Sequence, residues 1–105
     1  MSSRMFQNVI LQMKEATDRR IGVIDGDGNV VSCTEAGVTG ENWAQCIAAL
    51  HNADEVFVHS NGMTLRLLGT DSTHIDFAVF VDGEDLQART LSTMAAVALN
   101  SARTY

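Results

Sequence analysis

The chain of 105 residues contains no proline. It also has no low-complexity tract and no internal repeat. Nothing in it reads as a linker, so residues 1–105 are expected to form one domain. Basic residues are few: 7 Lys and Arg stand against 13 Asp and Glu, for a formal net charge of -6. They are also scattered, at Arg4, Lys14, Arg19, Arg20, Arg66, Arg89 and Arg103, and only Arg19 and Arg20 are adjacent. A phosphate-gripping surface needs a basic stripe, which argues against direct DNA binding by this chain. No apolar run approaches ~18 residues, so no membrane-spanning helix is expected. The opening "MSSRMFQNVILQMKEATDRR" is broken by Gln7, Asn8, Gln12 and Lys14, which leaves no signal-peptide h-region. A cytoplasmic location is expected. Cysteine is limited to Cys33 and Cys46. Their spacing suits neither a redox Cys-x-x-Cys nor a zinc pair, and two buried thiols in a reducing compartment are expected.

What is present is a core. Hydrophobic residues make up 46% of the chain, which is globular composition. A chain of this length buries roughly two thirds of its unfolded surface.

The stretch "IDGDGNVVSCTE", Ile24 to Glu35, invites comparison with a calcium loop. Asp25, Asp27 and Asn29 fit the first three ligand positions of an EF-hand. Val30 stands where the obligatory glycine belongs, and Ala36 where the bidentate glutamate belongs. The flanks are β-type. The stretch therefore reads as a hairpin, with Gly26, Asp27, Gly28 and Asn29 supplying positive φ angles. "DGDGN" also lacks the lysine of a P-loop and the spacing of a dinucleotide fingerprint. No metal and no cofactor is expected.

Along the chain, Phe6, Val9, Ile10 and Met13 recur at helical spacing and predict a helix over Ser3–Thr17. Strands follow over Arg20–Asp25 and Val30–Thr34. A second helix starts at Thr39 or Gly40, carries Trp43, Cys46, Ile47 and Leu50 on one face, and ends at "HNAD". "EVFVHS" and "MTLRLL" flank Asn61-Gly62, a strong hairpin signal. "HIDFAVFV" alternates as a further strand. "DGED" opens a long helix from Leu86 to Tyr105. The order is α-ββ-α-βββ-α, an α+β fold with a five-stranded antiparallel sheet. The terminal helices are expected on one face and the middle helix on the other.

Period-2 pairing assigns the faces. With Asn61-Gly62 as the loop, Phe57 opposes Arg66 and His59 opposes Thr64. A loop centred near Asp71 sets Arg66 opposite Asp76. A dry face of Val56, Val58, Met63, Leu65, Leu67, Ile75, Phe77, Val79 and Val81 is then expected under the terminal helices. A mixed face of Ile24, Val31, Cys33, Phe57, His59, Arg66 and Phe80 is expected under the Trp43 helix. Apolar walls with a few polar groups describe a small-molecule pocket. The ligand-binding candidates are Cys33, Trp43, Phe57, His59, Arg66 and Phe80, with Arg66 the cation that would favour an anionic ligand. His51, His59 and His74 have no triad or Cys-His context, and no catalytic residue is expected.

The last helix is apolar over too wide an arc. Leu86, Leu91, Met94, Ala95, Val97, Ala98, Leu99 and Ala102 exceed the ~100° stripe that a sheet contact needs. A homodimer through this helix, together with the first, is expected. "LNSARTY" offers no glycine C-cap, which reads as a helix excised from a longer chain.

"FAVFVDGEDLQARTLSTMAAVALNSARTY" resembles the close of the N-terminal domain of PucR-type bacterial transcriptional regulators. The shared features are the hydrophobic strand, "GED", the Ala- and Leu-rich helix and the terminal aromatic. "IGVIDGDGNVVSCTE" looks like the strand-turn-strand of that domain. The resemblance implies a regulatory sensor domain of PAS, GAF or profilin-like architecture. A bound metabolite would bias a dimeric C-terminal helix, and DNA would be reached through a helix-turn-helix domain beyond this chain. The same element order resembles the roadblock family, dimeric scaffolds that dock protein partners and bind no metabolite.

Overall fold

Local turn chemistry and strand alternation place nine elements. The structure, a computed structural model, describes residues 3–53, 56–68 and 75–104. Helix α1 spans Ser3–Met13, strands β1 and β2 span Ile21–Asp25 and Val30–Cys33, and a 3-10 turn spans Ala36–Val38. Helix α2 covers Ala44–His51; β3, β4 and β5 cover Phe57–Ser60, Met63–Leu68 and Phe77–Asp82; α3 covers Leu86–Thr104. The five strands form one antiparallel sheet in the order β2-β1-β5-β4-β3. The first and last helices lie on one face and α2 on the other, as the sequence leads one to expect.

The turns have identifiable causes. Asn61 (φ 54°) and Gly62 (φ 74°) both take positive φ, the requirement of the two-residue turn joining β3 to β4. The pairing that follows, Phe57 with Arg66 and His59 with Thr64, is the expected one. In the β1–β2 turn only Gly28 has positive φ. There Asp25 does the organising. Its Oδ1 accepts the amides of Asp27 and Asn29, each at 2.9 Å, and its Oδ2 accepts from the Asn29 side chain at 3.3 Å. The carboxylate that resembled a calcium ligand is spent on its own loop.

Glycine matters most at Gly22. It faces Phe80 across the β1–β5 pair, and a Cβ there would collide with the Phe80 ring and the Ser32 carbonyl. The bare backbone lets the ring lie across β1. Trp43 then meets Phe80 edge-on, with centroids 4.7 Å apart. Ile24, Cys33, Cys46, Ile47, Leu50 and Leu65 complete the interior under α2.

Helix α2 begins later than Thr39 or Gly40. Gly40 takes φ 98°, and the segment up to Trp43 runs beside the β1–β2 turn, where Trp43 N–H donates to the Gly28 carbonyl at 2.7 Å. Helix α1 ends at Met13, four residues before Thr17, in tight turns from Lys14, Glu15 and Ala16 back to Leu11, Gln12 and Met13. Helix α3 is started by Asp85, whose Oδ1 accepts the Ala88 amide at 3.1 Å. Arg19 clasps the same carboxylate with two bonds, of 2.6 and 2.7 Å. That hydrogen-bonded pairing holds the Asp85 carboxyl well below the usual range and raises the Arg19 guanidinium.

The face assignment needs correction. Arg66 pairs with Val79, not Asp76, and Leu65 pairs with Phe80. An offset of three is odd, so β3 and β4 turn over relative to β5. Val58, Met63, Leu65 and Leu67, expected under the terminal helices, lie under α2. So does Ile75. Arg66 lies on the terminal-helix side and donates to Thr93 of α3 at 3.3 Å. The reason is in β5. Ala78, Val79, Phe80 and Val81 are all buried, so the strand is apolar on both sides and its pattern accepts either register. Asp71 and His74 lie outside the described residues. Val31 also changes sides. A bulge pairs Val23 with Ser32 and Ile24 with Val30, which leaves Val31 over to pack beside α1.

Candidate functional site

The six residues expected to line one pocket fall into two groups. Cys33, Trp43 and Phe80 belong to the interior under α2. Phe57 and Arg66 lie on the opposite side of the sheet, with Arg66 bonded to α3. His59 shares that side by strand alternation and stands 3.7 Å from Glu84 at the head of α3. The sheet itself separates the two groups. A pocket that joins Arg66 to Trp43 is therefore not formed, and the physical reason is the odd register offset just described.

The α2 side carries a cation that the sequence reading passed over. Arg20 precedes β1 on the parity of Gly22 and Ile24. Its Nη2 donates to Asp82 Oδ1 at 3.1 Å, and its Nη1 lies 3.8 Å from Glu35 Oε2. The guanidinium stacks on Trp43 at 5.2 Å. Its Nε is buried and has no hydrogen-bond partner among the described residues. Two carboxylates neutralise this cation from within the chain, which makes the corner a structural clamp between β1, β5 and the entry to α2. Parity counted back from Ile24 would have placed it. Nearby, burial raises both thiols, Cys33 and Cys46, so neither is poised as a thiolate nucleophile.

The other side carries the reverse balance. The Arg66 and Arg89 guanidiniums both lie over the Phe57 ring, at 5.2 and 5.4 Å. Among the described residues, neither is paired with a carboxylate. Two cations on an aromatic ring, without a carboxylate partner among the described residues, make a small electropositive spot on a chain of net charge -6. It sits beside β3, an edge strand.

A third feature is on α3. Its inner side buries Ala88, Leu91, Ser92, Ala95, Ala96 and Leu99. Its outer side leaves Leu86 76%, Met94 53% and Val97 64% exposed. Positions 86, 90, 94, 97 and 101 follow one another at helical spacings of four and three, so they form one stripe along the helix. This is the excess apolar arc that the sequence pointed to.

No family model, curated protein or solved structure matches this chain. No described helix is long and apolar enough to cross a membrane.

Proposed function

We propose that the chain is a small protein-docking domain that pairs with a second copy through the outer stripe of α3. The observation that carries this reading is the exposure of Leu86, Met94 and Val97 along one line of a helix whose opposite side is already buried. Burial of such side chains is worth about 1.5–3 kcal/mol each. A matching stripe on a second copy offers that burial symmetrically. The metabolite-sensing alternative rested on one pocket shared by Arg66 and Trp43. With those residues on opposite sides of the sheet, the scaffold reading has the better support. A role in transcription control would then consist of presenting or pairing proteins, with the α3 dimer as the relay.

Sedimentation at micromolar concentration tests the reading. The wild-type chain is expected to be a dimer. Met94→Lys with Val97→Lys is expected to be a monomer with unchanged circular dichroism. A wild-type monomer across that range would overturn the proposal.

A further inference from the structure

β3 is an open edge with chemistry beside it. The two-residue turn makes Ser60 and Met63 a hydrogen-bonded pair, and alternation makes Val58 and Leu65 another. The backbone N–H and C=O groups of Phe57 and His59 therefore point away from the sheet. Among the described residues none of them has a main-chain partner. On the terminal-helix side, this row of free groups runs past Arg66 and Arg89 at Phe57 and then past Glu84 at His59. On the α2 side it runs past Val58, and just before the strand Val56 is 61% exposed.

We infer that β3 accepts an extended acidic segment of a partner protein as a sixth strand. Main-chain bonds to Phe57 and His59 hold the added segment, and alternate side chains are read on the two sides. Opposite Phe57, the segment places a carboxylate against the two arginines. Opposite His59, two residues along, Glu84 repels an acid and selects a neutral or basic residue. The one residue between these points to the α2 side, opposite Val58, which selects an apolar side chain. The occupant is thus a strand that reads acid, apolar, neutral or basic, in either direction.

A second copy is the rival occupant. Among the described residues, the carboxylate that stands beside β3 and that a second copy would bring is Glu84, which is already beside His59. It would also add a second self-contact to the α3 pairing and carry assembly beyond a dimer. The choice of a different partner rests on the docking reading to that extent. The open edge and the two arginines, without a carboxylate partner among the described residues, do not.

The test is fluorescence anisotropy with labelled eight-residue peptides alternating Val and Gln, with one inner Gln replaced by Glu (the Glu peptide) or none (the Gln peptide), on the whole chain and on its Val97→Lys variant. The Glu peptide is expected to bind about tenfold tighter than the Gln peptide, since charge-assisted pairs are the stronger ones. Added salt should narrow the gap. Arg66→Gln with Arg89→Gln should abolish it, and Arg89→Gln alone, on an exposed helix position, should halve it or more without altering the fold. A Glu peptide N-methylated at alternate amides should lose binding, because strand addition needs those donors. Equal affinity for the Glu and Gln peptides, or full binding by the N-methylated one, overturns the proposal. So does peptide-independent tetramer formation, which would assign the edge to a second copy. Peptide binding by the wild-type chain and by Val97→Lys, with sedimentation finding no dimer of the wild-type chain, would leave the β3 site standing and remove the α3 pairing.

Discussion

β2 and β3 are the two edges of one sheet, each four residues long, and they end in opposite states. β2 is closed. The Gln7 side-chain amide of α1 reaches it like a short strand: Nε2 donates to the Cys33 carbonyl at 3.2 Å, and Oε1 accepts the Cys33 amide at 3.3 Å and the Ser32 hydroxyl at 2.6 Å. At the other end, Val30 N–H donates to Glu41 O at 2.8 Å and Val30 O accepts from Gly40 at 2.9 Å. β3 has no such cover among the described residues. α1 lies against β2, whereas α3 lies against β4 and β5, one strand short of the edge. The lesson is that an edge is not closed by its own sequence. It is closed by whichever neighbour the packing brings within reach, and the edge left over is the one available to a partner.

Opening the closed edge should have the largest effect. Gln7→Leu keeps the bulk of the side chain and removes the three bonds. It leaves the Ser32 hydroxyl, 0% exposed, without its acceptor. Buried polar groups left unmade cost about 1–3 kcal/mol each, so a loss of about 2–4 kcal/mol is expected in urea unfolding. A loss under about 0.5 kcal/mol, the range of ordinary surface changes, would mean that the Gln7 amide does not guard β2.

Loosening the open edge should cost less. Gly62→Ala puts a Cβ on a residue at φ 74°, with open space around it. The penalty is the left-handed backbone alone, about 1–2 kcal/mol. It should concentrate in β3, and amide exchange of Val58 and Ser60 is the readout. If the exchange of β1 and β5 rose equally, the edge would not be an independent unit.

The smallest effect concerns the Arg19–Asp85 clasp, which fixes the start of α3 beside the end of β5. The Asp85 carboxyl is depressed by its hydrogen bonds to Arg19 in the folded chain. The unfolded value is about 3.9. The clasp therefore contributes its full stability above that value and loses it as pH falls through the lower folded value. Melting temperature measured from neutral pH downward should fall in acid, and Asp85→Asn should flatten that fall. A variant that melts in parallel with wild type at every pH would show that the clasp is not coupled to folding.

Particular residues mark how far the sequence could be read. Asn61-Gly62 announced both the turn and the register of β3 on β4, because a positive-φ pair leaves the chain one way to reverse. The wide apolar arc of the last helix was visible as composition, and its exposed half is where Leu86, Met94 and Val97 lie. A loop centred near Asp71 sets Arg66 opposite Asp76 and so on the wrong side, and β5, apolar on both sides, offers no objection. Gln7 carried no signal at all. A glutamine in a helix gives no sign that it will stand in for a strand.

By itself, the sequence determined the element order, the turns and the pairing of neighbours in the chain. These rest on backbone angles and side-chain periods set within a few residues. Only the tertiary structure decided which side Arg66 faces, which edge is sealed and which carboxylates neutralise which arginines. Those outcomes depend on strands brought together across long loops, where competing registers bury similar apolar area and the packing of both faces at once selects among them.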